Sequence, residues 1–416
     1  MNNFIGRFFP RILESWEGIN VDEFIGFLLP KCQEILTPER LRLRIADRSA
    51  LRIKFGIDPT ASDIHLGHIV PIMLLRQFMK AGHRIDFIIG DFTARVGDPT
   101  ARNTARNSLS PKMIADNMKT YTAQINKFID LRALHIHYNS NWLSTMTLQE
   151  IFSIFQQVNL SETIQRDDFR ERMRNEQTVS LAEICYGVLM GIDSVHLKTD
   201  IEIGGIDQLL NFQQCRKIMH QFGMQEETIM MTPILEGTSG DGKKMSKSFG
   251  NYIAVNATHE DKFGKIMSIP DSLIGKYFRC FADIHERELK ELDTFINGNP
   301  LEAKKQLATF IIALETKCIK DGLRERECFE RKFSKREIHD QDCIELAENE
   351  KTTIFNALMK SGQFKSRGEL RRLFDQQAVR QIKEGEERLL SPEVIVRQVD
   401  CIVRVGKRRF FKFLIL

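Results

Sequence analysis

Two short stretches of the chain carry residue types suited to handling a chain of phosphates. The first, FGIDPTASDIHLGH, runs from Phe55 to His68 and sets His65 and His68 three apart, with Gly67 between them, soon after Asp58, Pro59 and Thr60. A β-rich run, LRIKFGID (Leu51–Asp58), precedes it, and helical spacing follows from Ile69, so both imidazoles fall on the turn that opens a helix. A helix N-terminus offers unpaired N–H groups and a partial positive charge, and it attracts anions. Both rings can donate to phosphate oxygens, and Gly67 removes a side chain that would bar close approach. An isolated HxGH is more often no more than two surface histidines on a turn. The second stretch, DGKKMSKSFGN (Asp241–Asn251), is a lysine-rich loop bordered by glycines that let it move. Lys244 and Lys247 would clamp a triphosphate and offset charge growing at its α-phosphorus and on pyrophosphate. A lone lysine cluster reads as a solvated loop; the two stretches together, in this order on one α/β body, favour the phosphate reading.

The elements that would position them follow from periodicity. After the first strand come a helix, IVPIMLLRQFMKAG (Ile69–Gly82), and a second strand, RIDFIIGDF (Arg84–Phe92), which together form a βαβ unit and predict a parallel sheet. Ala133–Ser140, Thr199–Asp207 and Thr228–Leu235 are further strand candidates, with helices between them. The expected body is a doubly wound, Rossmann-like α/β domain whose ligands bind beyond the carboxyl ends of the strands. Residues 1–255 would form this domain, with helices inserted near 142–190. Residues 256–345 read as a helical, charge-laced domain, and 351–416 as a small α+β module, a helix pair followed by strand-like runs.

Length and composition agree with several domains. The chain has 416 residues, 42% hydrophobic and 28% charged, the balance of a globular protein rather than a disordered one. It lacks an apolar run of the roughly 18 residues that would span a membrane. The N-terminal FIGRFFPRILESW reads as a packed helix rather than a targeting signal. Eight scattered cysteines without a CxxC pair predict reduced thiols in a cytoplasm, and no zinc site. The net charge of +4 is uneven: from Lys351 onward 15 Lys and Arg stand against 7 Asp and Glu, a balance of +8 that leaves −4 for the rest. Such a basic tail suits a polyanion. In KSRGELRRLF, Lys365, Arg367, Arg371 and Arg372 recur at helical spacing, with Leu370, Leu373 and Phe374 turned the other way.

HLGH and KMSKS on a parallel α/β body resemble the two signatures of the class I aminoacyl-tRNA synthetases. KFGIDPTASDIHLGH, IGDFTARVGDPTARN, YNSNWL, QRDDFRERM, GGIDQ and KMSKSFGNYI resemble the tyrosyl-tRNA synthetases among them, in the bacterial subgroup with lysine ahead of the first motif. The likeness covers most of residues 50–255, and SGQFKSRGELRRLF resembles the S4 RNA-binding module. The resemblance implies that Thr60, His65 and His68 hold the ATP phosphates with Asp58 beside them, and that Lys244 and Lys247 close over them. It implies Gly205 and Asp207 at the ribose, Gln208 at the substrate carboxyl, Asp98 and Tyr186 at its ammonium and Asp193 at a phenolic hydroxyl. ATP with magnesium, tyrosine and tRNA are the implied substrates, with no protein-held metal, and the inserted helices imply a homodimer.

One helix departs from the family pattern. YGVLMGID keeps Tyr186 and Asp193, but Met190 stands where the family has an amine-binding glutamine, Gly187 replaces a proline and Ile192 an aromatic residue. Methionine offers only a weak acceptor sulfur. Beside a tyrosine–tRNA ligase this leaves two alternatives: a ligase for another amino acid or acceptor, and an RNA-binding protein with a relict catalytic domain. The contacts of Lys54, on the first strand near the same pocket, are not readable at this level.

Overall fold

The computed structural model describes residues 4–47, 50–60, 62–98, 110–164, 167–333, 343–346, 352–364, 366–383, 386–396, 402–406 and 409–415. The chain divides into two compact units, Met1–Glu325 and Arg326–Leu416.

Unit one is built on a sheet of β1 (Glu34–Leu36), β2 (Arg52–Ile57), β3 (Arg84–Ile89), β4 (His135–Tyr138), β5 (Ile201–Gly205) and β6 (Thr228–Thr232), ordered β1-β6-β5-β2-β3-β4. The pairs from β6 to β4 are parallel, as the βαβ pattern requires. The chain winds outward from β2 to β4 and then returns to the other side as β5 and β6, so the order reverses between β2 and β5. That reversal opens a crevice at the carboxyl ends of the strands. The sheet is mixed rather than all parallel, because β1 pairs antiparallel with the β6 edge, Glu34 opposite Met231 and Leu36 opposite Ile229. Three residues following a 3₁₀ turn carry no period for sequence reading to detect.

The helix after β2 starts at Leu66, three residues before the sequence places it, and runs to Lys80. His65 is therefore its N-cap and His68 lies in its first turn. Its apolar side chains Ile69, Ile72, Met73 and Leu75 are fully buried against the sheet. A second helix, Leu181–Leu197, lies close along a third, Leu209–Gln221. Gly187 and Gly191 permit that approach: a Cβ on Gly191 would stand 2.8 Å from Ile218 Cβ, and one on Gly187 3.1 Å from Gln214 Oε1.

A domain border at 255/256, expected from sequence, is not where the compact unit ends. Lys262 is buried in an ion pair with Glu315 and donates to Val255 O at 3.0 Å. Deeper in, Asp283 accepts from Lys80 Nζ at 2.9 Å and from Gln77 Nε2 at 2.8 Å, with Lys31 Nζ 3.7 Å away. The Lys80 and Gln77 bonds tie the far end of the Leu66–Lys80 helix to the helical segment. The N-terminal helix Phe4–Leu13 joins the same body, with Arg11 paired twice to Glu288 at 2.7 and 2.8 Å. Charges buried this deeply are retained only when paired, and here the pairs made by Asp283 and Glu288 cross the expected border. The packed N-terminal helix agrees with the sequence reading.

Unit two holds β7 (Cys343–Leu346), β8 (Val379–Lys383), β9 (Glu386–Leu389), β10 (Ile402–Val405) and β11 (Arg409–Ile415), ordered β7-β11-β10-β8-β9. It is antiparallel except where β7 runs parallel to β11. The expected helix pair is present as Ile354–Lys360 and Arg367–Asp375, and Leu370 and Phe374 turn into a core with Ile354, Leu358, Val403 and Phe411. Sequence reading missed β7, β8 and β9, each only four or five residues long.

Candidate active site

Every parallel strand ends at one cavity of about 540 Å³. The residue following each strand, or in β5 and β6 its last, lines the cavity: Asp58, Gly90, Asn139, Gly205 and Thr232. Thr60, His65, Gly67, His68, Asp98, Tyr186, Met190, Asp193, Asp207, Gln208 and Lys244 line it too, so the fold brings together nearly the whole set named from sequence. Lys247 stands outside this lining, its Nζ 3.4 Å from Asp63 Oδ2.

The two signatures touch through the backbone. Leu66 N donates to Ile253 O at 3.0 Å and Val255 N to Ile64 O at 3.0 Å, with His65 and Ala254 bridged between them. The lysine loop is itself pinned by Asn251, whose Oδ1 accepts from Ser246 N at 2.8 Å and whose Nδ2 donates to Lys244 O at 3.1 Å. His65 N donates to His68 Nδ1 at 3.2 Å, so the His68 ring carries its proton on Nε2. His65 Nδ1 is buried and has no partner among the described residues. Burial, then His68, Lys247 and Lys244, lowers His65 to about 2, and burial and the two lysines lower His68 to about 4. Both rings are neutral hydrogen-bonding groups at physiological pH, and the site's positive charge comes from lysine.

The opposite wall is a continuous hydrogen-bonded chain. Tyr186 Oη donates to Asp58 Oδ2 at 3.1 Å, and Thr93 Oγ1 donates to Asp58 Oδ1 at 2.7 Å. Asn139 Nδ2 reaches Thr93 Oγ1 at 3.1 Å and Asp193 Oδ2 at 3.3 Å, and Trp142 Nε1 donates to Asp193 Oδ1 at 2.7 Å. Gly90 leaves room for this chain, since a Cβ there would fall 2.0 Å from Asp58 Oδ1. Burial, aided by Asp98 and Asp193, raises Asp58 to about 7; burial, aided by Glu202, raises Asp193 to about 7.

Three residues take positions that the motif reading did not give them. The Asp58 carboxyl bonds Tyr186 and Thr93 rather than the histidine turn. Gln208 Nε2 donates to Asp98 Oδ2 at 2.8 Å while its Oε1 accepts from Asn211 at 2.7 Å, so its amide is already engaged. Met190, besides lining the cavity, packs with Phe212, Ile229 and Met231 and offers no polar group in place of a glutamine. Sequence reading left Thr93, Asn139 and Trp142 unassigned although they lie within quoted motifs; their signal was position, just beyond the carboxyl ends of β3 and β4. Arg367, Arg371 and Arg372 are exposed in unit two, and Lys365 lies outside the described residues. Among the described residues, one group of acidic, histidine or cysteine side chains is close enough to hold a metal, Glu202, Cys215 and Glu227, within 4.8 Å of one another. Lys54 Nζ stands 2.8 Å from Glu202 Oε1 and already supplies a cation there.

A parallel sheet that joins a histidine turn to a lysine loop over one crevice is the class I aminoacyl-tRNA synthetase catalytic fold. The chain belongs to the family described as tRNA synthetases class I (W and Y), which matches residues 46–356. A tyrosine–tRNA ligase of Thermotoga maritima is 36% identical over 395 residues, 94% of this chain and 97% of that protein. One of Carboxydothermus hydrogenoformans is 36% identical over 386 residues, covering 90% and 93%. In fold, the chain is similar to a C-terminally truncated mitochondrial tyrosyl-tRNA synthetase of Aspergillus nidulans, with a TM-score of 0.61 at 19% identity over 80% of this chain and all of that one. A tyrosyl-tRNA synthetase of Archaeoglobus fulgidus complexed with L-tyrosine gives a TM-score of 0.58 at 21% identity, over 74% of this chain and all of that one. No described helix is long and apolar enough to cross a membrane.

The raised Asp193 carboxyl carries a testable cost. Its folded value lies above the unfolded one near 3.9, so the stability it contributes is complete below about pH 4 and is lost as pH rises through about 7. Asp193→Asn is neutral throughout. Whatever fixed cost its altered hydrogen bonds bring, its denaturation midpoint relative to the parent should rise between about pH 4 and 7 and level off above. A difference that stays flat or falls over that range contradicts the burial-driven shift.

Proposed function

We propose that the chain joins L-tyrosine to ATP, giving tyrosyl-adenylate and pyrophosphate, and passes the tyrosyl group to tRNA. The observation that carries this reading is one cavity lined both by the two phosphate-handling signatures and by a buried carboxylate, Asp193, held by Trp142 and Asn139. The phenolic hydroxyl donates to Asp193. A site built to pair a hydroxyl strongly rejects the analogue lacking it, a rule for which tyrosine-specific ligases are themselves the standard example. The α-ammonium lies between Tyr186 and the carboxylates of Asp58 and Asp98, which makes up for the missing glutamine. The second N–H of Gln208 Nε2 is available to the substrate carboxyl. Gly205 and Asp207 take the ribose: a Cβ at 205 would fall 2.5 Å from Asp207 Oδ1, so glycine lets that carboxylate reach its hydroxyls.

Catalysis needs no side-chain nucleophile. A tyrosine carboxylate oxygen attacks the α-phosphorus in line as its bond to the pyrophosphate oxygen breaks. Thr60, His65 and His68 orient the phosphates, and Lys244 and Lys247 stabilise the charge that moves onto pyrophosphate. Lys247 leaves Asp63 to do so, a loop closure coupled to ATP binding. ATP arrives as its magnesium complex, with the ion held by the phosphates. A terminal tRNA hydroxyl then attacks the adenylate carbonyl and AMP leaves. The reaction belongs in the cytoplasm, with unit two an S4-like module that holds tRNA.

Pyrophosphate exchange across a panel of amino acids tests the reading, with tyrosine expected to support the fastest exchange. Lys247→Ala should slow that exchange about a hundredfold or more while the KM for tyrosine barely moves. An unchanged rate, or a better amino acid than tyrosine, sinks the assignment. Charge reversal at exposed Arg371 and Arg372 should spare exchange, lower tRNA charging sharply and flatten its salt dependence, since fewer phosphates are neutralised. Exchange and charging falling in parallel would instead give these residues a structural role. The inserted helices expose Leu148, Phe152, Leu160, Met173 and Leu181, the apolar material of a twofold interface. Light scattering at micromolar concentration should give twice the 48.2 kDa chain mass; a monomer would count against the dimer.

A further inference from the structure

A buried charged cluster adjoins the amino-acid side of the cavity, and the chemistry above does not use it. Lys54 on β2 and Glu202 on β5 are register partners across the strand-order reversal, and both are almost wholly buried. Lys54 Nζ contacts three acceptors: Glu202 Oε1 at 2.8 Å, Ser194 Oγ at 2.5 Å and Met190 O at 3.1 Å. An ammonium has three N–H donors, so none remains for a ligand. Met190 and Ser194 are one helical turn apart, and Asp193 lies within that turn. Ser194 Oγ donates onward to Glu227 Oε1 at 3.2 Å. The second oxygens, Glu202 Oε2 and Glu227 Oε2, are buried and have no donor among the described residues, and the two carboxyl groups bring an oxygen each within 4.8 Å of the other. Two carboxyls buried this close, with one ammonium between them and the helix, relieve their repulsion and their unmet oxygens by sharing a proton.

We propose that Lys54, Glu202 and Glu227 form a proton-sharing cluster, one ammonium and two carboxyls holding a single proton, that positions the Met190–Ser194 turn and so the specificity carboxylate Asp193. Lys54 is on this account a positioning residue and not a ligand of the substrate. The sum is neutral, the condition under which such groups tolerate a dry interior. Burial, followed by the charge of Glu202, drives the Glu227 carboxyl well above its ordinary range, in the same sense. Cys215 completes a triad of metal-ligating types, but its Sγ faces Gly187 O at 3.9 Å, and burial holds it as a thiol.

The role in tyrosine placement rests on the proposed function; the shared proton does not, and the full-length chain separates the two. Infrared difference spectra of the parent against Glu227→Gln should show the loss of one protonated-carboxyl stretch that persists from about pH 5 to 9 in the parent. In pyrophosphate exchange, Lys54→Met and Glu202→Gln should each raise the KM for tyrosine about tenfold or more, because the first strands a buried carboxylate and the second removes the direct partner of the ammonium. The KM for ATP should stay within about twofold. Glu227→Gln supplies an amide N–H where the shared proton sits and should raise the KM for tyrosine about threefold or less. The Lys54→Met, Glu202→Gln pair should cost less than the product of the singles. Equal damage from the two glutamine variants, no such band, a stoichiometric bound metal, or parallel rises in both KM values would overturn the proposal. If the parent shows no tyrosine-dependent exchange, the functional reading fails and the infrared band still decides the cluster.

Discussion

The two backbone hydrogen bonds between Ile64–Leu66 and Ile253–Val255 are the constraint on which the site depends. The histidine turn is local to β2 and its helix, whereas the lysine loop follows β6, on the far side of the strand-order reversal. These bonds clamp the base of the loop to the start of the helix while its tip, with Lys244 and Lys247 exposed, remains in solvent. On the proposed function, a phosphate chain is gripped from both sides without either signature carrying the other. The far end of the same helix is fixed separately through Lys80, Gln77 and Asp283. A helix held at both ends presents its N-terminal N–H groups in a set direction, which anion recognition there requires.

Charge is distributed by the same logic. Burial keeps the histidines neutral, so on the proposed function they would orient oxygens without adding charge, while the lysines sit where solvent is available. On the other wall, burial makes Asp58 and Asp193 reluctant anions, which a substrate ammonium or phenol can relieve. Binding a partner for these carboxyls offsets part of what burial costs them.

How much of this was legible depended on how local the signal was. HLGH, KMSKS and the apolar strands announce themselves within a dozen residues, and the helix pair of unit two does the same through its 3.6 period. The partners of Asp193 did not, because Asn139 and Trp142 follow β4, 54 and 51 residues before the carboxyl they hold. Lys54 was visible as an oddity and its role was not, since its partners come from β5, from the helix before β5 and from the lead-in to β6. The unit border escaped for a related reason: Lys262 and Asp283 look like ordinary surface charges in a charge-laced helical stretch until the fold buries them.

Lys54 and its neighbours also bear on descent. With three donors committed and two carboxyls dependent on it, position 54 cannot drift alone: a tyrosine there would leave Glu202 and Glu227 facing each other without a counter-ion, and losing a glutamate first would strand the ammonium. On that account the side chains change as a set, and a substitution at any one of the three is tolerated only beside compensating changes at the other two. Residue 54 is then an epistatically locked character, tied to its buried neighbours rather than to the amino acid the site selects.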